Sequence, residues 1–300
     1  RQNLDVCNTN LYVFSELALL EKKEWYEQWG LVPVLSNIDD LKIFLTHKEF
    51  KSLPLVLKFN SGMNRLGFNP IEQDEIITLL KKYQRRTIYH LMSHFACSYI
   101  QSHLSMSEQL KVMEKVKDNF YKAQISLEHY SFSNSGAIEQ KLLVSDETTV
   151  RPGIILYGPR SVDKKYSHWK GKIISELETT ILDSRFLKKG DGFGYGLNHA
   201  PEDGHLLILP LGYADGMQFA FNGFQLEMEG VPVKFLTRPS MDLCFLWISG
   251  KSSIQWKNKK ISIWNSQNDN LQLLSDHNQT ISYQILTAIS SRVPRDYVLE

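Results

Sequence analysis

From residue 11 to residue 158 short apolar runs alternate with longer amphipathic ones, and no other property of the chain restricts its fold as strongly. Strand-like runs occupy 11–14, 31–35, 55–59, 88–95 and 125–132. Between them, stretches with helical spacing cover 15–30, 38–45, 70–82, 107–123 and 135–143, with Ser36-Asn37 as an N-cap opening the second. Such alternation implies parallel strands with helices outside, arranged as an open doubly wound sheet or as a closed barrel. A further run at 154–157, bounded by Gly153 and Gly158, reads as a buried strand that closes the α/β unit. About six strands fall short of the eight that a (β/α)8 barrel takes, so a barrel here places about two βα units upstream of Arg1. An open six-stranded sheet is the alternative, but no GxGxxG or Walker loop follows any strand to support it. The barrel is favoured.

After about residue 172 the periods shorten. Strand-like runs at 172–182, 206–211, 224–229, 231–236, 243–248, 253–257 and 260–264 follow one another, with a helix over 281–289. The pairs Asp191-Gly192, Asp203-Gly204, Asn222-Gly223 and Glu229-Gly230 are hairpin punctuation. The organisation expected is an α/β barrel domain over 1–171 and an all-β domain over 172–300.

Several function classes are disfavoured by bulk properties. A formal net charge of +1 supplies no basic surplus for nucleic acid or for an anionic membrane surface. No apolar run approaches the roughly 18 residues of a membrane helix. Cys7, Cys97 and Cys244 are far apart and form no CxxC pair, which indicates neither a disulfide framework nor a zinc site and fits a reducing cytoplasm. His90 and His94 are four apart, but the segment around them alternates like a strand and has no carboxylate to complete a metal site.

Polar residues and glycines crowd the ends of several strands: Asn60 to Arg65, His94 to Ala96, Ser133 to Gly136 and Arg151 to Gly153. In a barrel these carboxyl ends share one face, where separated segments converge on a single mouth. Arg151 at a strand mouth is either paired or facing a ligand, because a guanidinium is always charged. Ser135-Gly136 at a helix start, with Gly153-Ile154, can offer a hydroxyl and N–H groups to a phosphate, although Ser at such a place is commonly an N-cap alone. Tyr195 and Tyr213 sit among small residues in the all-β part, where tyrosines usually serve packing.

Taken in order, Leu57-Lys58-Phe59-Asn60-Ser61-Gly62-Met63-Asn64-Arg65-Leu66-Gly67-Phe68, Ser93-His94-Phe95-Ala96, Ser133-Asn134-Ser135-Gly136, Val150-Arg151-Pro152-Gly153-Ile154, Gly194-Tyr195-Gly196, Gly212-Tyr213-Ala214-Asp215-Gly216, Ser240-Met241-Asp242 and Arg292-Val293-Pro294-Arg295 resemble the motifs of the alanine racemases, which depend on pyridoxal 5'-phosphate (PLP). The resemblance implies a PLP-bearing (β/α)8 barrel, a C-terminal β domain, and a homodimer whose active sites combine both subunits. It also implies racemisation of L- and D-alanine through a PLP aldimine, with two bases on opposite faces of the substrate. Tyr195 matches one base. A phenol ordinarily titrates at about 10, so a cationic surround is needed to favour its phenolate. His94 and Arg151 match the network that supplies it, with Arg151 against the pyridine nitrogen. Arg65 matches the contact to the PLP phenolic oxygen and the substrate carboxylate, and Lys58 falls where many relatives carry a carbamylated lysine. Ser135, Gly153 and Ile154 match phosphate contacts; Tyr213 and Met241 match residues at the substrate entrance and carboxylate site. A role in supplying D-alanine to the bacterial cell wall is implied by the same resemblance.

The chain departs from the pattern in places. The family's other base, its Schiff-base lysine, lies in an AxxKAxAYGHG-like motif that does not occur here, and its spacing places it upstream of Arg1. The expectation is therefore that these residues alone neither hold PLP covalently nor racemise. Phe219 stands where many relatives have an arginine, and Ser291 where some have a phosphate-binding tyrosine. A racemase of serine or lysine on the same fold, or a non-catalytic PLP-fold protein, are the alternative readings.

Overall fold

The structure, a computed structural model, describes residues 9–14, 19–142 and 144–298. It divides into two compact units: unit 1 comprises residues 1–153 and 161–169, unit 2 residues 154–160 and 170–300.

Unit 1 alternates strands and helices: β1 (Leu11–Val13), α1 (Lys23–Trp29), β2 (Leu31–Leu35), α2 (Ile38–Thr46), β3 (Val56–Lys58), α3 (Gln73–Lys82), β4 (Thr87–Met92), α4 (Leu104–Lys122), β5 (Ser126–Ser131) and α5 (Ser135–Glu139). The strands form one five-stranded sheet in the order β1-β2-β3-β4-β5, all parallel. A doubly wound sheet reverses its order at a switch point and carries helices on both faces. Here the order never reverses. Tyr26, Phe44, Leu80, Phe120 and Ala137, from α1 to α5, join Leu35, Leu57, Ile88 and Leu91 in a single core. The other face of the sheet is covered by Val32, Val34, Val56 and Met92, with Tyr12 and Tyr89, and no helix contributes to that cluster. Helices on one face and a separate interior on the other make the sheet an arc of a (β/α) barrel.

Local chemistry explains why the elements start where they do. The Asn37 side chain accepts from Asp40 N at 2.9 Å and caps α2. Such a cap contributes about 1 kcal/mol. Asn134 caps α5 in the same way by accepting from Ala137 N. The helix expected over 15–30 is observed as α1; its expected residues 15–18 lie outside the described residues, as do Leu143 of the helix expected over 135–143 and Cys7.

Residues 154–157 overturn an expectation. They form a 3-10 turn and not a strand, with Ile154 and Ile155 buried while Leu156 and Tyr157 are 61% and 49% exposed. Pro152 has no N–H to give to a ladder, and the chain leaves the sheet there. What remains of a sixth strand is one parallel bridge from Asn134 to Arg151, with Arg151 N donating to Ser133 O at 2.8 Å.

Unit 2 contains β6 (Leu177–Thr180), β7 (Asp183–Leu187), β8 (Gly192–Phe193), β9 (Asn198–His199), β10 (Gly204–Leu209), β11 (Gln225–Met228), β12 (Val231–Leu236), β13 (Cys244–Ser249), β14 (Lys260–Trp264), α6 (Asn270–His277) and α7 (Ser282–Ala288). Its main sheet is antiparallel, in the order β11-β12-β13-β10-β7, beside the pairs β14-β6 and β8-β9. The long run expected at 172–182 is reduced to β6, and the strand expected at 253–257 is irregular. Lys257 and Asn258 form a turn there, with Asn258 at φ 67, because the chain needs a reversal before β14. Cys97 and Cys244 are free. Among the described residues no helix is long and apolar enough to cross a membrane, and no group of three or more His, Cys, Asp or Glu could hold a metal.

Candidate active site

In unit 1 the site is assembled from the segments at the carboxyl ends of the strands. Lys58 is the last residue of β3. The loop after it returns on itself, with Phe68 N donating to Lys58 O at 2.8 Å and Asn60 N to Phe68 O at 2.9 Å. Asn60 organises its interior, accepting from Gly62 N and Asn64 N, and the loop presents Arg65 at the surface. His94 lies just after β4. Gln109, buried on α4, donates to His94 O at 2.9 Å and to Ser61 Oγ at 3.0 Å, and accepts from Ala96 N. One helix side chain thus ties the loop after β3 to the loop after β4.

Arg151 reaches across the ends of β4 and β5. Its Nη1 donates to Ser131 Oγ and its Nη2 to the Ser93 carbonyl. Ser135 lies at the start of α5 and accepts from Gly153 N at 2.7 Å. The segment between them is anchored by Glu147, whose carboxylate accepts from Phe132 N at 2.5 Å, Ser133 N at 2.7 Å and Ser133 Oγ at 2.6 Å.

The electrostatics of this cluster are one-sided. Burial, then the positive charge of Arg65 and Arg151, lowers the ammonium pKa of Lys58. Burial, then Arg151, Arg65 and Lys58, lowers His94 to about 4, so this imidazole is neutral at ordinary pH. Burial lowers Arg151 to about 10, opposed by Glu147 and Tyr130. Among the described residues Lys58, Arg65 and Arg151 enter no ion pair, and the carboxylate of Glu147 is committed to residues 132 and 133. Three basic side chains that enter no ion pair among the described residues form a site for an anion, although Glu147 offsets part of the charge of Arg151. That donor set fits a ligand bearing a phosphate or a carboxylate, as PLP bears the first and an amino acid the second.

Unit 2 carries the remaining residues. Tyr195 lies in the tight connection between β8 and β9, between Gly194 and Gly196 at φ 63 and 76, and is 86% exposed. Positive φ at both flanks turns the chain so sharply that the phenol stands clear of the sheet. Tyr213 and Met241 are brought together: Tyr213 N donates to Ser240 O at 2.9 Å and Ala214 N to Met241 O at 3.1 Å. Gly212 permits this approach, since a Cβ there would overlap the Met241 carbonyl. Arg292 draws in a third segment, bonding Asp242 at 2.6 Å and lying 3.5 Å from Asp215. Phe219 packs edge-on to Tyr213, and the Arg238 guanidinium lies over its ring at 5.7 Å. Ile154 opens the 3-10 turn of this unit and is buried.

Sequence reasoning missed Ser131, Ser93, Gln109 and Glu147. Their bonds span 13 to 58 residues along the chain, and only the folded α/β unit brings them within reach.

Two family models match the chain: the alanine racemase N-terminal domain over residues 7–161 and the alanine racemase C-terminal domain over residues 174–297. This chain belongs to the alanine racemase family. An alanine racemase of Variovorax paradoxus is 30% identical over 276 residues, covering 89% of this chain and 72% of its own. One from Nitrosomonas eutropha is 28% identical over 284 residues, covering 91% of this chain and 75% of its own. Among solved structures, the alanine racemase of a D-cycloserine-producing Streptomyces lavendulae superposes with a TM-score of 0.86 at 20% identity, over 97% of this chain and 78% of its own. That of Bartonella henselae, described with covalently bound pyridoxal phosphate, gives 0.81 at 26% identity, over 97% of this chain and 79% of its own. The barrel arc followed by a β domain is therefore the alanine racemase fold, and members of the family interconvert the enantiomers of alanine with PLP.

Proposed function

We propose that this chain takes part in alanine racemisation with PLP held at the carboxyl ends of the unit 1 strands and Tyr195 as one of the two bases. The observation that carries the reading is the set of three cations, Lys58, Arg65 and Arg151, without a carboxylate partner among the described residues. When bound, PLP acidifies the α-hydrogen of the amino acid joined to it. Ser135 Oγ with the N–H groups of Gly153 and Ile154 would hold its phosphate, the Gly153 N–H turning to it from Ser135 Oγ, and Arg151 would face its pyridine nitrogen. A guanidinium donates and does not accept, so it leaves that nitrogen unprotonated and moderates the stabilisation of negative charge at Cα. Arg65 would bind the substrate carboxylate, with Tyr213 and Met241 lining the approach. Tyr195 Oη takes the α-proton on one face and returns one there.

The depressed ammonium pKa of Lys58 enlarges its fraction of free amine. That is the form that adds to carbon dioxide, releasing a proton and becoming a carbamate able to orient Arg65, in which case Arg65 and Arg151 alone are the cations of the site. An intact mass equal to the unmodified sequence after isolation in bicarbonate would exclude it.

Sites shared between two copies, a cytoplasmic location and a supply of D-alanine for the cell wall complete the proposal. Given PLP and alanine in deuterated water, the protein is expected to exchange the α-hydrogen of alanine, and Tyr195→Phe is expected to abolish exchange on the face that Tyr195 serves. Absence of exchange, or exchange of both enantiomers that survives in Tyr195→Phe, would overturn the role of Tyr195. Mixing Tyr195→Phe with Arg151→Ala restores exchange only if a site draws on two copies.

A further inference from the structure

The interior face of the unit 1 sheet holds a polar chain that has no part in the proposed chemistry. Tyr12 Oη lies 3.0 Å from His90 Nδ1, and His90 Nε2 lies 2.7 Å from Ser131 Oγ and 3.3 Å from Thr149 Oγ1. Ser131 Oγ is in turn the acceptor of Arg151 Nη1. Tyr12, His90 and Ser131 come from β1, β4 and β5, and His90 and Ser131 are both buried. His129, with its ring centroid 5.9 Å from that of His90, is the other titratable group of β5 against it.

Proton placement in this chain is determined at one end. Arg151 has donors only, so Ser131 must accept from it, and the Ser131 hydroxyl hydrogen is left to be donated. The nitrogen of His90 is the acceptor at 2.7 Å, and Thr149 offers a second hydroxyl to the same atom. Nε2 is then bare. A neutral imidazole with a bare Nε2 carries its hydrogen on Nδ1, which donates to Tyr12. Burial and the nearby charges of Arg151 and His129 oppose a proton on His90, in keeping with a neutral ring.

The geometry points to His90 as a positioning residue for Arg151, acting through Ser131 on the guanidinium and through Thr149 on the backbone segment that carries it. This rests on the assignment of Arg151 to the cofactor ring. His90 touches neither substrate nor cofactor in this scheme. It fixes which way the Ser131 hydroxyl points, and hence where the guanidinium rests without a carboxylate to hold it.

Nitrogen-15 NMR of the histidine-labelled chain tests the proton placement, with His90→Gln identifying the signals. His90 is expected neutral with hydrogen on Nδ1 from about pH 6 to about pH 9; a proton on Nε2 overturns the inference. His90→Phe keeps the ring volume and removes the acceptor. In it, the separate Arg151 Nη signals of a held guanidinium are expected to broaden together. Affinity for pyridoxine 5'-phosphate, which has the ring and phosphate but no aldehyde, is expected to fall roughly three- to tenfold, the worth of one net hydrogen bond. His90→Gln, whose Oε1 can accept from Ser131, is expected to restore both. Unchanged Arg151 signals and affinity in His90→Phe overturn the inference; if that variant does not fold, Ser131→Ala breaks the same link and is read in the same way. Arg151→Ala separates this inference from the cofactor assignment beneath it. If it binds pyridoxine 5'-phosphate as the parent does, the assignment of Arg151 fails, whatever the tautomer of His90.

Discussion

The two units expose their functional residues in opposite ways, apart from the exposed Arg65 of unit 1 and the buried Ile154 of unit 2. In unit 1, Arg151, His94 and Lys58 are partly buried, and side chains from α4, β4 and β5 hold the first two or the segments around them. In unit 2, Tyr195, Tyr213 and Met241 are 86%, 46% and 54% exposed, and turns position them. A cation cluster must be assembled against its own repulsion, which takes many fixed dipoles in a low-dielectric setting. A phenol that meets its substrate at a surface requires only a turn that aims it. Substitutions in unit 1 should therefore disturb both stability and ligand affinity, whereas those at the unit 2 positions should disturb chemistry alone.

The largest expected effect is at Tyr195. Tyr195→Phe should slow α-hydrogen exchange by roughly 10²- to 10⁴-fold, the range for loss of a general base, as read by mass spectrometry of recovered alanine. Next is Glu147→Ala, which strips Phe132 N, Ser133 N and Ser133 Oγ of their acceptor. Loss of about 2 kcal/mol or more in urea unfolding is expected, since each donor left unsatisfied in a partly buried setting is costly. A variant as stable as the parent would remove the contrast between the units.

A separate effect is set by pH. His90 and His94 are lowered to about 4 in the folded chain, below the ordinary value of 6.5, so the unfolded chain binds more protons between those limits. Stability is then fully present above about pH 6.5 and is lost as pH falls toward 4, at up to about 1.4 kcal/mol per pH unit for each histidine. Urea unfolding at several pH values reads this slope, and His90→Gln should remove its share. The smallest effect is an expected constancy. Tyr195→Phe should leave the unfolding free energy within about 0.5 kcal/mol of the parent, because so exposed a side chain contributes little to packing.

Much of the fold was legible because local chemistry and tertiary demand agree. The run at 31–35 coincides with β2, and Glu229-Gly230, both at positive φ, joins β11 to β12 as the sequence pair implied. Residues 154–157 misled because Gly-bounded apolar residues fit a strand and a 3-10 turn equally well by periodicity; Pro152 decides between them. Strand β7 (DSRFL) escaped notice because Asp183 and Arg185 break the apolar alternation at an exposed edge of the sheet. Lys58, Arg65 and Arg151, with the neutral His94, were named through a resemblance and not through spacing. The groups that hold them were not visible, since His90, Ser131 and Gln109 look like ordinary strand and helix residues until parallel register sets them side by side.

The contact of residues 212–214 with 240–241 is made by main-chain N–H and C=O groups. Such a clasp is indifferent to the substituent on each Cα, so the side chains at 213 and 241 can be exchanged without loosening the bonds that hold them in place. A lineage could try new residues at positions 213 and 241 one by one and, with the two lining the approach as proposed, alter which small molecules pass while the scaffold underneath goes on folding as before.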